Sequence, residues 1–309
     1  MSRQMQARKL ETLAGLGNVR LDEPLAPYTS FCIGGPADFL VSPHTDEQVR
    51  SVATWCREEG IPFRVMGLGS DILVSDAGVR GVVLRLAENF AALNIEHEGM
   101  RIQAGCSNAE VARVACAAGL CGYEFACGIP GTVGGAAIMN AGAYGGEFKD
   151  VAEAVRCLTP EGKLVDVSAS EAAWSYRHSM MADEKYVVLE VTLRLSSDEC
   201  NSIQTRMDDL TQRRIEKQPL EMPSAGSTFK RPEGCFVGQL VQEAGLRGYR
   251  VGGAQVSEKH TGFIVNAGGA TAEDVRRLIA EVQERVLVHA GVSLEPEVRM
   301  WGFEQGETR

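Results

Sequence analysis

The apolar positions of this chain change period along its length. After Thr45, the residues Val49, Val52, Ala53 and Cys56 recur at helical spacing, and Gly60 closes the run. Thr45 with Gln48, and Ser107 with Glu110, have the form of capping boxes, so each predicts a helix start. Short β-rich runs over 61–66 and 82–86 predict strands. Residues 19–41 read as short strands around a bend at Gly34, Gly35 and Pro36. Residues 92–104 read as a hairpin. A second hairpin, 155–158 with 163–167, turns through Pro160-Glu-Gly162, and 186–195 reads as a long strand.

Past residue 200 the period changes. Ile203, Met207 and Leu210 share one face of a charged helix that must stop before Pro219. Residues 220–227 read as a Pro/Gly/Ser loop and 237–244 as a short helix ending at Gly245. A strand is expected over 263–265. Thr271 caps a helix whose apolar stripe is Val275, Leu278, Ile279, Val282 and Val286. The switch from strand-rich to helix-rich sequence predicts a boundary near residue 200.

The chain has 309 residues, which favours more than one core. No apolar run approaches the ~20 residues that span a bilayer. The N-terminus lacks the apolar stretch of a secretory signal, so a cytoplasmic protein is expected. A net charge of −10 with no basic stripe disfavours nucleic acid as a partner. Nine cysteines include no C-x-x-C pair, and the five histidines, His97 among them, are scattered. No metal site is expected, and the thiols read as reduced, small apolar residues.

Glycine is different, with 34 residues in clusters. Gly67-Leu-Gly69-Ser70 follows a strand, as either a phosphate-binding turn or a plain tight turn would. It is no dinucleotide fingerprint, because Ile72 stands at the third glycine position. Between Gly128 and Gly146, seven of nineteen residues are glycine, a density that a helix or strand interior does not favour. Either a flexible loop or a backbone that closely approaches a ligand would have this composition.

Several segments, in order, resemble the MurB reductase family. Gly128-Ile-Pro-Gly-Thr-Val-Gly-Gly135 followed by Met139-Asn-Ala-Gly-Ala-Tyr-Gly-Gly-Glu147 is similar to that family's flavin-binding segment. Thr29-Ser-Phe-Cys-Ile-Gly-Gly-Pro-Ala37 and the Gly67–Ser75 stretch are similar to its N-terminal motif and pyrophosphate turn. Tyr176-Arg-His-Ser179, Ser224-Ala-Gly-Ser-Thr-Phe-Lys230 and Leu294-Glu-Pro-Glu-Val298 complete the set. The likeness runs from about residue 20 to 303 and fits the family's shorter type. Asp71, Cys32 and Arg231 depart from the usual residues.

The resemblance implies an α+β, three-part flavoprotein with FAD-binding domains of the vanillyl-alcohol-oxidase (PCMH) type and a C-terminal substrate domain. Residues 1–87 and 88–200 would hold FAD, 201–293 a UDP-sugar, and 294–309 would return as a strand to the FAD region. It implies NADPH-dependent, FAD-mediated reduction of UDP-N-acetylglucosamine enolpyruvate to UDP-N-acetylmuramate in peptidoglycan precursor synthesis, with FAD bound noncovalently. Gly67, Gly69, Ser70, Gly128, Pro130, Gly131, Thr132, Gly134, Gly135, Asn140 and Gly142 would contact the cofactor.

Arg177 would hold the substrate carboxylate, whereas residue type alone favours a surface ion-pair partner. Ser227 would donate the proton, although a serine in Ala-Gly-Ser-Thr also suits a turn or cap. Glu297, protonated, would hydrogen-bond the developing enolate. Lys230, Arg250, Lys259 and His260 are candidates for the UDP pyrophosphate. A flavin oxidase of the same fold and a nonenzymatic flavin or UDP-sugar binder are the competing readings.

Overall fold

The computed structural model describes residues 1–96 and 99–303; His97 and the last six residues of the expected 294–309 segment lie outside the described residues. The chain divides into two compact units, one of Met1–Leu21, Phe39–Leu68 and Gly81–Arg214, the other of Asp22–Asp38, Gly69–Arg80 and Ile215–Arg309. Each has its own apolar core.

In the first unit a five-stranded antiparallel sheet runs in the order Leu164–Ser168, Ala152–Leu158, Val187–Arg194, Gly99–Gln103, Leu93–Glu96. Val155, Val191, Leu189 and Ile102 are fully buried, and each such side chain contributes about 1.5–3 kcal/mol by leaving water. A second sheet contains the parallel pair Phe63–Met66 and Val79–Arg85, with Phe63 opposite Val82. The helix Asp46–Glu58 buries Val49, Val52 and Cys56 of the stripe read from the sequence, and Trp55 in addition, while Ala53 is only half-buried. It packs against a helix, Arg3–Ala14, that the polar N-terminal sequence did not announce; only Ala7, Leu10 and Ala14 of it are buried.

The glycine-rich segment is not irregular throughout. Val133–Met139 is a helix, contrary to the expectation from glycine density. Thr132 caps it by accepting the Gly135 N–H, and its backbone lies close to the sheet edge at Ala104. A Cβ at Gly134 would lie 2.7 Å from the Ala104 Cβ, so glycine lets this helix approach as nothing larger could.

The two sequence-assigned capping boxes are half-formed. Thr45 and Ser107 do cap their helices, but Gln48 receives the His44 N–H and the Glu110 carboxylate turns to Arg113. A neighbouring guanidinium is the better partner for an exposed carboxylate.

In the second unit four antiparallel strands run in the order Ser224–Ser227, Phe263–Asn266, Ala254–Val256, Arg250–Val251. Residues 224–227, expected as loop, thus form an edge strand. Its register shifts between Ser224 and Ser227, and this bulge hides the alternation that would have marked a strand. The helix Ala272–Ala290 buries all five residues of its predicted stripe and begins with a complete Thr271/Asp274 capping box. Its first two N–H groups, Ala272 and Glu273, also donate to the Asp76 carboxylate at 2.9 and 3.1 Å. The strand Arg299–Trp301 pairs in parallel with Ile72–Val74.

Candidate active site

In the first unit the strand Phe63–Met66 delivers Gly67 against Thr132. A Cβ at Gly67 would lie 2.4 Å from the Thr132 Oγ1, so the two glycine segments meet only because residue 67 has no side chain. Thr132 is itself buried, and the loop before it is fixed by the Asn108 N–H, which donates to the Gly131 carbonyl at 3.1 Å. Gly135 is exposed, and the one atom near its missing Cβ is the Thr132 Oγ1 at 3.7 Å. Its surface is therefore bare backbone at the start of a helix, as close approach of an anionic group requires.

Asn140 ends this helix in a left-handed conformation (φ 43) and is buried. Its side chain is fully used: Oδ1 accepts the Lys149 N–H at 3.0 Å, while Nδ2 donates to Glu147 at 3.0 Å and to the Ser175 carbonyl at 3.1 Å. Asn140 thus ties the glycine segment to the turn that carries Arg177. Ser179 adds a second tie through its hydroxyl, which donates to the Ile138 carbonyl at 2.8 Å. Glu147 is held below the usual carboxylate range, first by Lys149 and then by Asn140, with Arg177 contributing its charge. Arg177 is half-buried, has a positive φ of 54° and stacks on the Tyr176 ring at 4.9 Å. The structure therefore brings Arg177, Asn140 and the Gly142–Gly146 turn together. Gly142 pairs across that turn with Glu147.

Gly128 and Pro130 precede the helix, and Gly128 abuts Arg214. A Cβ there would come within 2.9 Å of the Arg214 Cδ. Arg214 was not among the residues singled out from the sequence. It is half-buried, burial pulls its guanidinium below the ordinary arginine range, and among the described residues no carboxylate pairs with it; Tyr144 and Cys127 are its polar neighbours. A desolvated cation with unused donors beside a glycine backbone fits an electron-rich planar group. The signal was present: Ile203, Met207 and Leu210 continue at helical spacing to Arg214, which puts a charge in an inward stripe.

In the second unit, Gly69 has a φ of 63°, and its carbonyl accepts the Ser30 N–H at 3.1 Å; Ser70 follows, half-buried. The substitutions at 32 and 231 are accommodated. Cys32 takes a positive φ of 55°, and Arg231 stacks on the Phe236 ring at 4.0 Å.

Ser227 ends the edge strand, exposed and opposite Phe263. The chain continues through Thr228 to Lys230 and pairs antiparallel with residues 295–297. The Glu297 N–H donates to the Thr228 carbonyl at 2.8 Å, Phe229 bridges Pro296, and the Lys230 N–H donates to the Glu295 carbonyl at 2.8 Å. Ser227 and Glu297, seventy residues apart, are thereby set on adjoining stretches of backbone, with Glu297 half-buried. Buried Thr228 locks the arrangement, its hydroxyl accepting the Ile264 N–H at 2.9 Å.

The four expected pyrophosphate ligands are each engaged within the protein. Lys230 Nζ pairs with Glu295 at 2.5 Å, and Lys259 Nζ donates to the Ile215 carbonyl at 2.6 Å. Arg250 donates to Gln255 at 3.0 Å. His260 Nδ1 accepts the Gly262 N–H at 3.2 Å, its ring meets Phe263 edge-on, and burial lowers its pKa. An imidazole in that setting is a neutral donor through Nε2 rather than a cation.

A family profile described as the C-terminal domain of UDP-N-acetylenolpyruvoylglucosamine reductase matches residues 218–301, and an FAD binding domain profile matches 37–168. The chain is 46% identical over 286 residues to the reductase of Syntrophomonas wolfei, covering 93% of this chain and 96% of that one. The chain belongs to the UDP-N-acetylenolpyruvoylglucosamine reductase family. The reductase of Clostridioides difficile is also 46% identical, with 92% of this chain and 94% of that one covered. The crystal structure of the Thermus caldophilus reductase superposes with a TM-score of 0.79 at 37% identity, over 92% of this chain and 98% of that one. The α+β fold, with an FAD-binding segment and the family's C-terminal domain, is thus that of these reductases. Among the described residues no helix is long and apolar enough to cross a membrane.

Proposed function

We propose that the chain reduces UDP-N-acetylglucosamine enolpyruvate to UDP-N-acetylmuramate, with noncovalent FAD and with NADPH as reductant, as a cytoplasmic step of peptidoglycan precursor synthesis. The observation that carries this reading is the pairing of residues 228–230 with 295–297, which sets the proton-donor candidate Ser227 and the carboxyl candidate Glu297 on neighbouring backbone. A flavin oxidase has no need of that pair.

Gly67, Thr132, Gly135 and Arg214 are the residues that would hold FAD. Gly135 offers backbone that no side chain covers, and Arg214 offers a desolvated cation to a ring that gains electrons. Gly69, Ser70, Gly128, Pro130, Gly131, Gly134, Asn140 and Gly142 shape the backbone around them. Residues 1–87 and 88–200, together with Arg214, would serve the cofactor, the rest of 201–293 the UDP-sugar, and 294–309 would bring Glu297.

Bound FAD supplies the hydride that NADPH provides. The protein's own task is to make the enolpyruvyl group accept it. Arg177 grips the carboxylate with a planar, always-charged fork, pre-set by stacking on Tyr176. Glu297 hydrogen-bonds the same carboxylate as negative charge moves onto it. Ser227 then gives its hydroxyl proton to C2, a general-acid step of the kind that contributes typically 10²–10⁴-fold. Lys230, Arg250, Lys259 and His260 orient the diphosphate; Lys230 must exchange Glu295 for it.

Purified protein should carry a yellow, acid-extractable flavin and oxidise more than one NADPH per flavin only when the enolpyruvyl UDP-sugar is present, forming UDP-N-acetylmuramate. Folded protein without flavin, or NADPH oxidation indifferent to that substrate, would overturn the reading.

A further inference from the structure

Among the described residues there is a single thiol–thiol contact, and it lies away from the site described above. The Cys116 Sγ is 3.6 Å from the Cys200 Sγ. Cys116 is buried in the last turn of the helix Asn108–Ala117, and Cys200 is exposed as the first residue of the helix Cys200–Lys217. We propose that these two cysteines form a reversible, peroxide-oxidisable dithiol that staples the two helices.

The geometry is held before any oxidation. Ser196–Ser197 pairs with Leu120–Cys121, and the Asp198 N–H donates to the Gly119 carbonyl at 2.9 Å. Arg206, one turn and a half into the second helix, bonds both Glu124 and Asp198 at 2.7 Å. These contacts fix the backbone on both sides of the pair, so the sulfurs stay neighbours without being bonded. Closing the disulfide requires an approach of about 1.5 Å, within the reach of side-chain rotation at an exposed helix end.

The two thiols differ in the way a two-step oxidation needs. Exposed Cys200 meets peroxide first: its sulfur attacks one oxygen, the O–O bond breaks, and the sulfenic acid forms with water leaving. The Cys116 thiol then attacks that sulfur, the S–O bond breaks, an S–S bond forms and water departs. The sum is two thiols and one hydrogen peroxide giving one disulfide and two waters. An external dithiol reverses it. Cys56, Cys106 and Cys157 are buried with no thiol neighbour, and burial pushes Cys56 and Cys157 up to about 12, so they serve as internal standards that should not react.

The test treats the full-length, flavin-loaded protein with graded hydrogen peroxide, blocks remaining thiols with N-ethylmaleimide, and maps peptides by mass spectrometry. The proposal expects a cross-linked pair of peptides containing Cys116 and Cys200, lighter by two hydrogens than their sum, appearing before any change at Cys56 or Cys157. Dithiothreitol should remove it, and Cys200→Ser should never form it. Recovery of Cys200 as sulfinic acid with Cys116 still alkylated would overturn the proposal. So would loss of the free Cys116 thiol in the Cys200→Ser protein at the same dose.

Discussion

Gly67 and Thr132 approach so closely that a methyl group at residue 67 would lie 2.4 Å from the threonine hydroxyl oxygen and 2.8 Å from its Cγ2. The same hydroxyl caps the helix inside the glycine-rich segment. Gly67→Ala therefore must displace Thr132, adding about 1–3 kcal/mol of overpacking to about 1 kcal/mol for the lost cap. The double variant Gly67→Ala with Thr132→Ala deletes the two shortest contacts, leaving the residue-132 Cβ at 3.2 Å, and loses the cap. Urea denaturation should find it less destabilised than the sum of the single changes; strict additivity would contradict the close contact.

The helix Ala272–Ala290 is capped at long range by Asp76, which accepts two N–H groups there. Asp76→Ala should cost about 1–2 kcal/mol, through lost bonds and a lost charge at the positive end of the helix dipole. A stability unchanged in urea or thermal unfolding would show that Thr271 and Asp274 suffice alone.

Arg177 adopts a left-handed backbone conformation that glycine accepts without strain. Arg177→Gly should fold at least as well as the parent and still take electrons from NADPH. Its turnover of the enolpyruvyl substrate should fall by at least 10²-fold. Arg177→Lys, which keeps charge but loses the fork, should recover only part of that. Full activity of the glycine variant would remove Arg177 from the chemistry.

Burial lowers the His260 pKa in the folded chain. The unfolded chain then holds more protons between that lowered value and the ordinary histidine value of about 6.5. The stability His260 confers is complete above about pH 6.5 and fades as pH falls below it toward the folded value. Urea midpoints at about pH 7.5 and 5.5 should converge more in His260→Gln than in the parent. An equal or larger fall in the variant would contradict the burial effect.

Much of this was legible in the sequence, and for a definite reason. The stripe Val275, Leu278, Ile279, Val282, Val286 was readable because burial alone decides it. Gly67, the Gly128–Gly146 segment, Arg177, Ser227 and Glu297 stood out through motifs. Contacts made only in three dimensions were not readable. Asp76 caps a helix 196 residues away. The capping hydroxyl of Thr132 and the small residues Gly134, Ala136 and Ala137 make a helix where glycine content argued for a loop. Ser224–Ser227 lacks alternation because its register shifts, and Glu295 occupies Lys230, which sequence offered as free for phosphate. Arg214 was hidden in a run of charged helix residues, although its spacing from Leu210 pointed inward.

Ser227 is exposed at a strand end, so Ser227→Ala should fold normally. Reduction of the flavin by NADPH should be unchanged, while the second half-reaction slows by about 10²–10⁴-fold. Stopped-flow traces of the two halves check this separately, and equal second-phase rates in parent and variant would reject Ser227 as the proton donor.

The most direct measurement is anaerobic. Reduce the protein with NADPH, remove the nucleotide, add UDP-N-acetylglucosamine enolpyruvate and follow the flavin absorbance. Prompt return of the oxidised spectrum, with one UDP-N-acetylmuramate formed per flavin, is the predicted result. Flavin that stays reduced until oxygen is admitted would contradict the reductase reading at its centre.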